Sequence, residues 1–303
     1  YSNYNQPMLP VYIFYSMFGF QRIGDLAWAA GDAQTRGFLL GGTAGRTTLN
    51  GEGLQHEDGH SHILASTIPN CRSYDPTYGY ELAVIMHHGM HEMMELQKSV
   101  YYYITVMNEN YQQPAMPQGV EEGILKGMYL LEEAKGDFKH RVQLMGSGTI
   151  LREVRAAVDI LAKMGVGADV WSVTSFNELR RDGLAVDHWN RLHPTDEPRK
   201  SYVEQCLEGR EGPVIASTDY MKLFADQIRQ WVPSREYQVL GTDGFGRSDS
   251  RAKLRDFFEV DRRWVAVAAL QALAARGAIE RTVVANAITE FGIDPEKRNP
   301  LDF

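Results

Sequence analysis

The chain has 303 residues, 44% of them hydrophobic and 23% charged, and carries a formal net charge of −8 at pH 7. That length gives interior enough for two domains sharing an interface, and the negative balance excludes a sequence-independent grip on nucleic acid or on an anionic membrane surface. Cys71 and Cys206 make neither a disulfide framework nor a metal-type spacing, which points to a reducing, cytoplasmic setting, and no apolar run reaches membrane-spanning length.

Residues 11–14 have strand composition and lead into a helical pattern in which Phe20, Ile23, Leu26 and Ala30 recur at steps of three and four, ending near Gly31. Residues 37–62 are rich in glycine, with Gly41, Gly42 and Gly45 close together, and predict a long irregular segment. Asp75 and Pro76 fit the cap and first turn of a helix whose buried stripe is Tyr78, Leu82, Ile85, Met86 and Met93. Residues 100–107 then read as a buried strand. Over 112–139 the chain turns polar, with Pro114, Pro117 and a charged helical stretch at 121–135, so this segment is expected to link a unit at 1–111 to another at 140–303.

In the second unit, a strand at 142–145 runs through Gly146, Ser147 and Gly148 into a helix with Ile150, Val154, Ala157 and Leu161 on one face and Gly165 at its end. Strands at 169–173, 214–216 and 237–240 alternate with a helix capped near Asp219, carrying Leu223, Phe224 and Ile228 and stopped by Pro233. The alternation predicts an α/β protein of two three-layer α/β/α domains with mostly parallel sheets. The start at Tyr1 in place of methionine reads as that of a fragment.

The densest chemistry lies in residues 51–62, GEGLQHEDGHSH, where Glu52, His56, Glu57, Asp58, His60 and His62 are interleaved with Gly51, Gly53 and Gly59. Steps of four and two between the histidines suit neither a helix face nor a known zinc framework. A solvated polar loop leaves the coincidence of glycines and titratable groups unexplained. An acid–base site accounts for both, because histidine titrates near neutrality, a nearby carboxylate fixes its tautomer, and glycines let the backbone approach a ligand.

Other clusters carry less. His87, His88 and His91 lie among Glu92 and Glu95 on the helix after Asp75, as on a solvated face. Gly146-Ser147-Gly148 lacks the third glycine of a dinucleotide loop, and residues 241–249 match a phosphate cradle in composition only. Tyr15, Phe18 and Phe20 form an aromatic group that suits either core packing or stacking on a flat cofactor ring.

Three long stretches, PVYIFYSMFGFQRIGDLAWAAGD, RGFLLGGTAGRTTLNGEGLQHEDGHSH and IPNCRSYDP, closely resemble the homodimeric, bacterial type of pyruvate dehydrogenase E1 component, within the transketolase-like thiamine diphosphate enzymes. VYYYITVMNENY, LMGSGTILREV, VWSVTSF, ASTDYMKLFADQIR and LGTDGFGRSDSR carry the likeness to the C-terminus. The resemblance implies that 1–111 is part of a pyrimidine-binding domain, truncated at its N-terminus, and 140–303 a transketolase-type C-terminal domain. It also implies decarboxylation of pyruvate on thiamine diphosphate with Mg2+, reductive acetylation of a lipoyl group on the E2 dihydrolipoyl acetyltransferase, and homodimerisation.

Carried over by the resemblance, His56 is the histidine over the thiazolium, Glu52 its partner carboxylate, Tyr15 an active-site tyrosine and Phe18 the ring that stacks on the aminopyrimidine. Glu57-Asp58-Gly59 followed by His62 resembles a motif of the wider group whose Asp58 and His62 equivalents face substrate. The family's diphosphate and magnesium motif and its cofactor-activating glutamate are expected outside these residues, Thr242-Asp243-Gly244 not being that motif, so no metal ligand is expected in this segment and the segment alone is expected to be inactive. Alternatives are another transketolase-like thiamine enzyme and a non-catalytic dimerisation or docking fragment.

Overall fold

The computed structural model describes residues 6–233 and 236–302; residues 1–5, which open the first predicted unit, and Phe303, which ends the second, lie outside the described residues. In chain order the first sheet is built from β1 (Val11–Tyr15), α1 (Gly19–Asp32), β2 (Phe38–Gly42), α2 (Ser61–Ser66), β3 (Cys71–Tyr74), α3 (Gly79–Met90) and β4 (Tyr101–Thr105). Its strands lie in the order β1-β2-β4-β3, all parallel. After α4 (Glu121–Lys126) come β5 (Met128–Glu132), β6 (His140–Gly146), α5 (Leu151–Lys163), β7 (Val166–Val173), α6 (Phe176–Leu192), α7 (Tyr202–Leu207), β8 (Val214–Ser217), α8 (Lys222–Asp226) and β9 (Tyr237–Leu240). These strands form a second sheet in the order β5-β7-β6-β8-β9, in which β5 alone runs antiparallel. The chain closes with α9 (Arg251–Phe257), α10 (Arg262–Ala275) and α11 (Arg281–Glu290).

Strands covered on both faces are mainly apolar, and β4 and β7 are buried at every position, their polar Thr105, Asp169 and Ser172 being hydrogen-bonded inside. On α5, Leu151, Val154, Ala157 and Leu161 recur at helical spacing and pack with Val265, Ala269 and Leu273 of α10 in one core. Ser175 caps α6 by accepting from Glu178 N at 3.0 Å, and Asp261 caps α10 by accepting from Arg263 N and Trp264 N at 2.8 and 3.2 Å.

Several elements differ from expectation. The segment 37–62 is not irregular throughout, because Phe38–Gly42 is a strand hydrogen-bonded on both edges; Gly41 is there for close packing, since a Cβ on it would strike the Tyr103 ring. The polar 112–139 segment contains β5, whose buried Met128 and Tyr129 seat it at the edge of the second sheet. The stripe expected on α1 is broken by non-helical backbone at Ile23, which turns Phe20 and Ala27 inward and leaves Leu26 exposed. Helix α3 begins at Gly79, capped by Glu81, whose Oε2 accepts from Thr77 N and Tyr78 N at 2.6 and 3.0 Å. Asp75 and Asp219, both expected as caps, are instead buried between the sheets.

The sheets meet at the carboxyl ends of their parallel strands. Asp75 N, just after β3, donates to Thr174 O, just after β7, at 2.7 Å, and Thr48 and Thr149 share a hydroxyl hydrogen bond. In open parallel sheets this is the edge where ligands bind.

Candidate active site

At the end of β1, Tyr15 O accepts from Phe18 N at 3.0 Å, a turn that presents both rings at the carboxyl edge. The chain leaving β2 returns there through a single 3-10 turn at Leu54–His56, in which His56 N donates to Gly53 O at 2.9 Å. Gly51, at φ +71°, makes the reversal, and its N–H donates to Asp249 O of the second unit at 3.2 Å. Two segments some forty residues apart in sequence thereby bring four expected residues together. The His56 ring centroid lies 5.5 Å from that of Tyr15 and 5.2 Å, edge to face, from that of Phe18. His56 Nδ1 donates to Glu52 Oε2 at 3.1 Å.

That hydrogen bond sets the tautomer: with Nδ1 carrying the proton, Nε2 of the neutral ring keeps its lone pair and can take or return a proton. The surroundings are accessible, with Tyr15 36% exposed and Leu54 48%. The Arg22 guanidinium sits 4.4 Å above the Phe18 ring, so one face of that ring is already covered.

Asp58 and His62 do not join this group. Asp58 accepts from His60 N and Ser61 N, both at 2.9 Å, and from the Ser61 hydroxyl, which fixes the start of α2. His62 is wholly enclosed, its ring stacked 4.8 Å from Phe224 and edge-on to Tyr220. Thr105 gives its hydroxyl proton to Asp75 Oδ1 at 2.7 Å, so His62 Nε2 donates to Thr105 Oγ1 at 3.0 Å and Nδ1 accepts from the Ser73 hydroxyl at 2.5 Å. Burial pushes its pKa down to about 3. Both residues expected to face substrate are thus buried and hydrogen-bonded within the fold.

Glu57 and Arg46 emerge instead. Glu57 is fully buried, its Oε2 accepts from Arg247 N at 2.7 Å, its Oε1 has no hydrogen-bond partner among the described residues, and burial raises its pKa to about 8. Arg46 donates to the carbonyls of Thr242, at 2.6 Å, and Gly244, while burial lowers its pKa. Between these groups and Leu54, His60, Met221 and Phe245 lies a cavity of about 500 Å3. The charge of Glu57 marks it in the sequence; nothing there separates the carboxylate that turns inward from the one that pairs with His56.

Other candidates resolve into packing. The 241–249 loop clamps Arg46 with its carbonyls, and Gly148 packs so closely on Asp75 that no side chain would fit. His91 pairs with Glu95 at 2.9 Å on the surface of the turn after α3, and the partly exposed His88 approaches the buried Glu92 at 3.8 Å. Among the described residues no three His, Cys, Asp or Glu side chains are grouped to hold a metal ion, and no helix is long and apolar enough to cross a membrane.

Residues 1–114 match the family described as the pyruvate dehydrogenase E1 component middle domain, and 127–261 match the transketolase-like C-terminal domain. The chain is 76% identical over its whole length to the pyruvate dehydrogenase E1 component of Pseudomonas aeruginosa, and 65% identical over 99% of its length to that of Escherichia coli. It spans about a third, 34%, of the length of each of these relatives. Among solved structures it is similar in fold to transketolase from Campylobacter jejuni, with a TM-score of 0.65 at 17% identity over 87% of this chain and 36% of that one. Two sheets of transketolase type, and identity this high from end to end, place the chain in the pyruvate dehydrogenase E1 component family.

Proposed function

We propose that this chain supplies the histidine-bearing part of the active site of a thiamine diphosphate-dependent pyruvate dehydrogenase, which decarboxylates pyruvate and passes the acetyl group to the lipoyl group of an E2 acetyltransferase. The observation that carries the reading is the convergence of Tyr15, Phe18, Glu52 and His56 at the carboxyl edge of a parallel sheet. The donor set fits the cofactor's ring end, with two aromatic rings beside a carboxylate-held imidazole, whereas its diphosphate and Mg2+ call for groups elsewhere in a longer polypeptide.

When bound, thiamine diphosphate supplies the electron sink for decarboxylation. The chain's part is positional and protonic. Phe18 offers flat apolar surface, and Tyr15 holds the imidazole edge. Glu52 keeps the proton on Nδ1, so Nε2 is the atom that accepts a proton from, or returns one to, a reacting oxygen. Homodimerisation completes the site in this reading, with each subunit bringing the cofactor-holding groups to the other.

The test is His56→Ala in the full-length protein, with acetyl-CoA formation measured in the reconstituted complex. Loss of a proton-transfer group lowers turnover by about 10²–10⁴-fold. Undiminished turnover removes His56 from the site, and activity with a ketose phosphate in place of pyruvate reassigns the enzyme to transketolase chemistry.

A further inference from the structure

A second cavity, of about 250 Å3, is lined by Tyr78, Tyr111, Gln112, Arg152, Arg155 and Arg262. Arg152 and Arg155 stand nearly one turn apart on α5, Arg262 opens α10, and the two tyrosines come from the first unit. Three guanidinium groups thus face one space in a chain of net charge −8.

Each arginine is braced along one edge by a glutamate. Arg152 Nη1 donates to Glu109 Oε1 at 2.7 Å, Arg155 Nε to Glu132 Oε1 at 2.8 Å, and Arg262 Nε and Nη2 to the two oxygens of Glu153 at 2.8 and 3.1 Å. Arg152 also lies 4.7 Å over the Tyr111 ring, and Arg155 Nη1 donates to the Tyr78 hydroxyl at 3.0 Å, which frees that hydroxyl's own proton for another acceptor. Arg152 Nε and Nη2 and Arg262 Nη1 have no hydrogen-bond partner among the described residues. Arg255 and Arg251 also draw on Glu109, and Arg255 on Glu153, so these two carboxylates are shared and not spent on the lining arginines alone. The lining arginines are 37%, 40% and 51% exposed, within reach of a ligand from solvent.

We propose that this cavity binds a phosphate dianion, either free or as a monoester. The open nitrogens of Arg152 and Arg262, together with the Tyr78 hydroxyl proton that Arg155 leaves free, offer three donors to the oxygens of a tetrahedral dianion, whereas the two oxygens of a single carboxylate would leave one donor unmatched. The volume lies below the ~300 Å3 at which pockets for whole organic ligands begin, which suits a phosphoryl group and not a complete nucleotide. Because the lining comes from both units, occupancy also fastens them together. The site shares no residue with the His56 group, and it stands or falls independently of the proposed reaction.

The experiment is equilibrium dialysis of the full-length protein against radiolabelled orthophosphate at ionic strength fixed with chloride, on the native protein and on an Arg152→Gln/Arg155→Gln double variant. Saturable binding that weakens by about tenfold or more in the double variant, with an unchanged circular dichroism spectrum, is the expected result. Displacement of orthophosphate by ribose 5-phosphate assigns the site to esters, and failure to displace it assigns the site to the free ion. Equal affinity in both proteins, or no saturation up to about 10 mM, overturns the proposal.

Discussion

The Asp219 carboxylate crosses the junction between the two sheets and accepts both the backbone N–H and the hydroxyl of Thr48, at 3.1 and 2.6 Å. Its other oxygen does the same for Thr47, at 2.9 and 2.6 Å. All of this is dry, and Asp219→Ala leaves four donors unsatisfied where water does not reach. The expected loss is about 3–5 kcal/mol of stability, the range for breaking a buried charged network. Denaturation in urea measures it, and a loss near zero means the junction has another anchor.

The same carboxylate explains Gly45. Its φ of +90° already disfavours a side chain, and a Cβ there would collide with Asp219 Oδ2. Gly51 has a comparable φ of +71° but open space around its Cβ position. Gly51→Ala is therefore expected to carry only the backbone strain, about 1 kcal/mol, and Gly45→Ala about 2–4 kcal/mol, because it adds a buried clash. Matched unfolding curves of the two variants separate strain from collision; equal losses would show that Asp219 moves aside freely.

Periodicity and composition made the strand around 142–145 and the helix carrying Val154 and Leu161 readable, because each buries a continuous or regularly spaced apolar set, whereas the strand around 11–14 was readable from its β-branched and aromatic composition alone and leaves Val11, Tyr12 and Ile13 exposed. They could not reveal β3, whose four residues include Arg72 and Ser73, nor distinguish a glycine needed for flexibility from Gly41, needed for the close approach of Tyr103. Within 51–62 the charges were visible but their directions were not. Glu52 and Glu57 are the same residue type five positions apart, yet one meets His56 at the rim and the other is sealed under Gly246. That division depends on the 241–249 loop, almost two hundred residues away in the chain. Likewise, the likeness that brought Tyr15, Phe18, Glu52 and His56 together also suggested substrate contact for Asp58 and His62, whose hydrogen bonds are all spent inside.

Glu52→Gln tests the tautomer argument. Glutamine retains an acceptor for Nδ1–H but no charge to stabilise a protonated ring, so the variant should lose turnover by about tenfold, less than His56→Ala, with binding of pyruvate little changed. The pair is partly exposed, so its removal should leave the unfolding midpoint in place. A kcat equal to that of the native protein would reduce Glu52 to a surface neighbour.

Three interior groups make stability depend on pH in opposite directions. Glu57, raised to about 8, and Asp75, raised to about 7, both mainly by burial, hold protons in the folded state that the unfolded chain releases at 4.5 and 3.8. Their contribution is complete below those unfolded values and is lost as pH rises through 7 and 8, by at most about 1.4 kcal/mol per pH unit for each proton. His62, lowered to about 3 by burial, has the opposite sign: its contribution is complete above 6.5 and is lost as pH falls toward 3. Between 6.5 and 8 only the carboxyl groups change, and there Glu57→Gln, which mimics the neutral acid, should gain on the native protein with each step in pH. Toward pH 4 and below, the unfolded carboxyls regain their protons, so their slope fades while that of His62 persists, and His62→Gln should flatten the acid limb. Urea midpoints at pH 4, 6.5 and 8 for the three proteins give the comparison. A constant difference between native protein and Glu57→Gln would mean that Glu57 is ionised beside Arg46 throughout, and the partnerless Oε1 would then have to be reached by water.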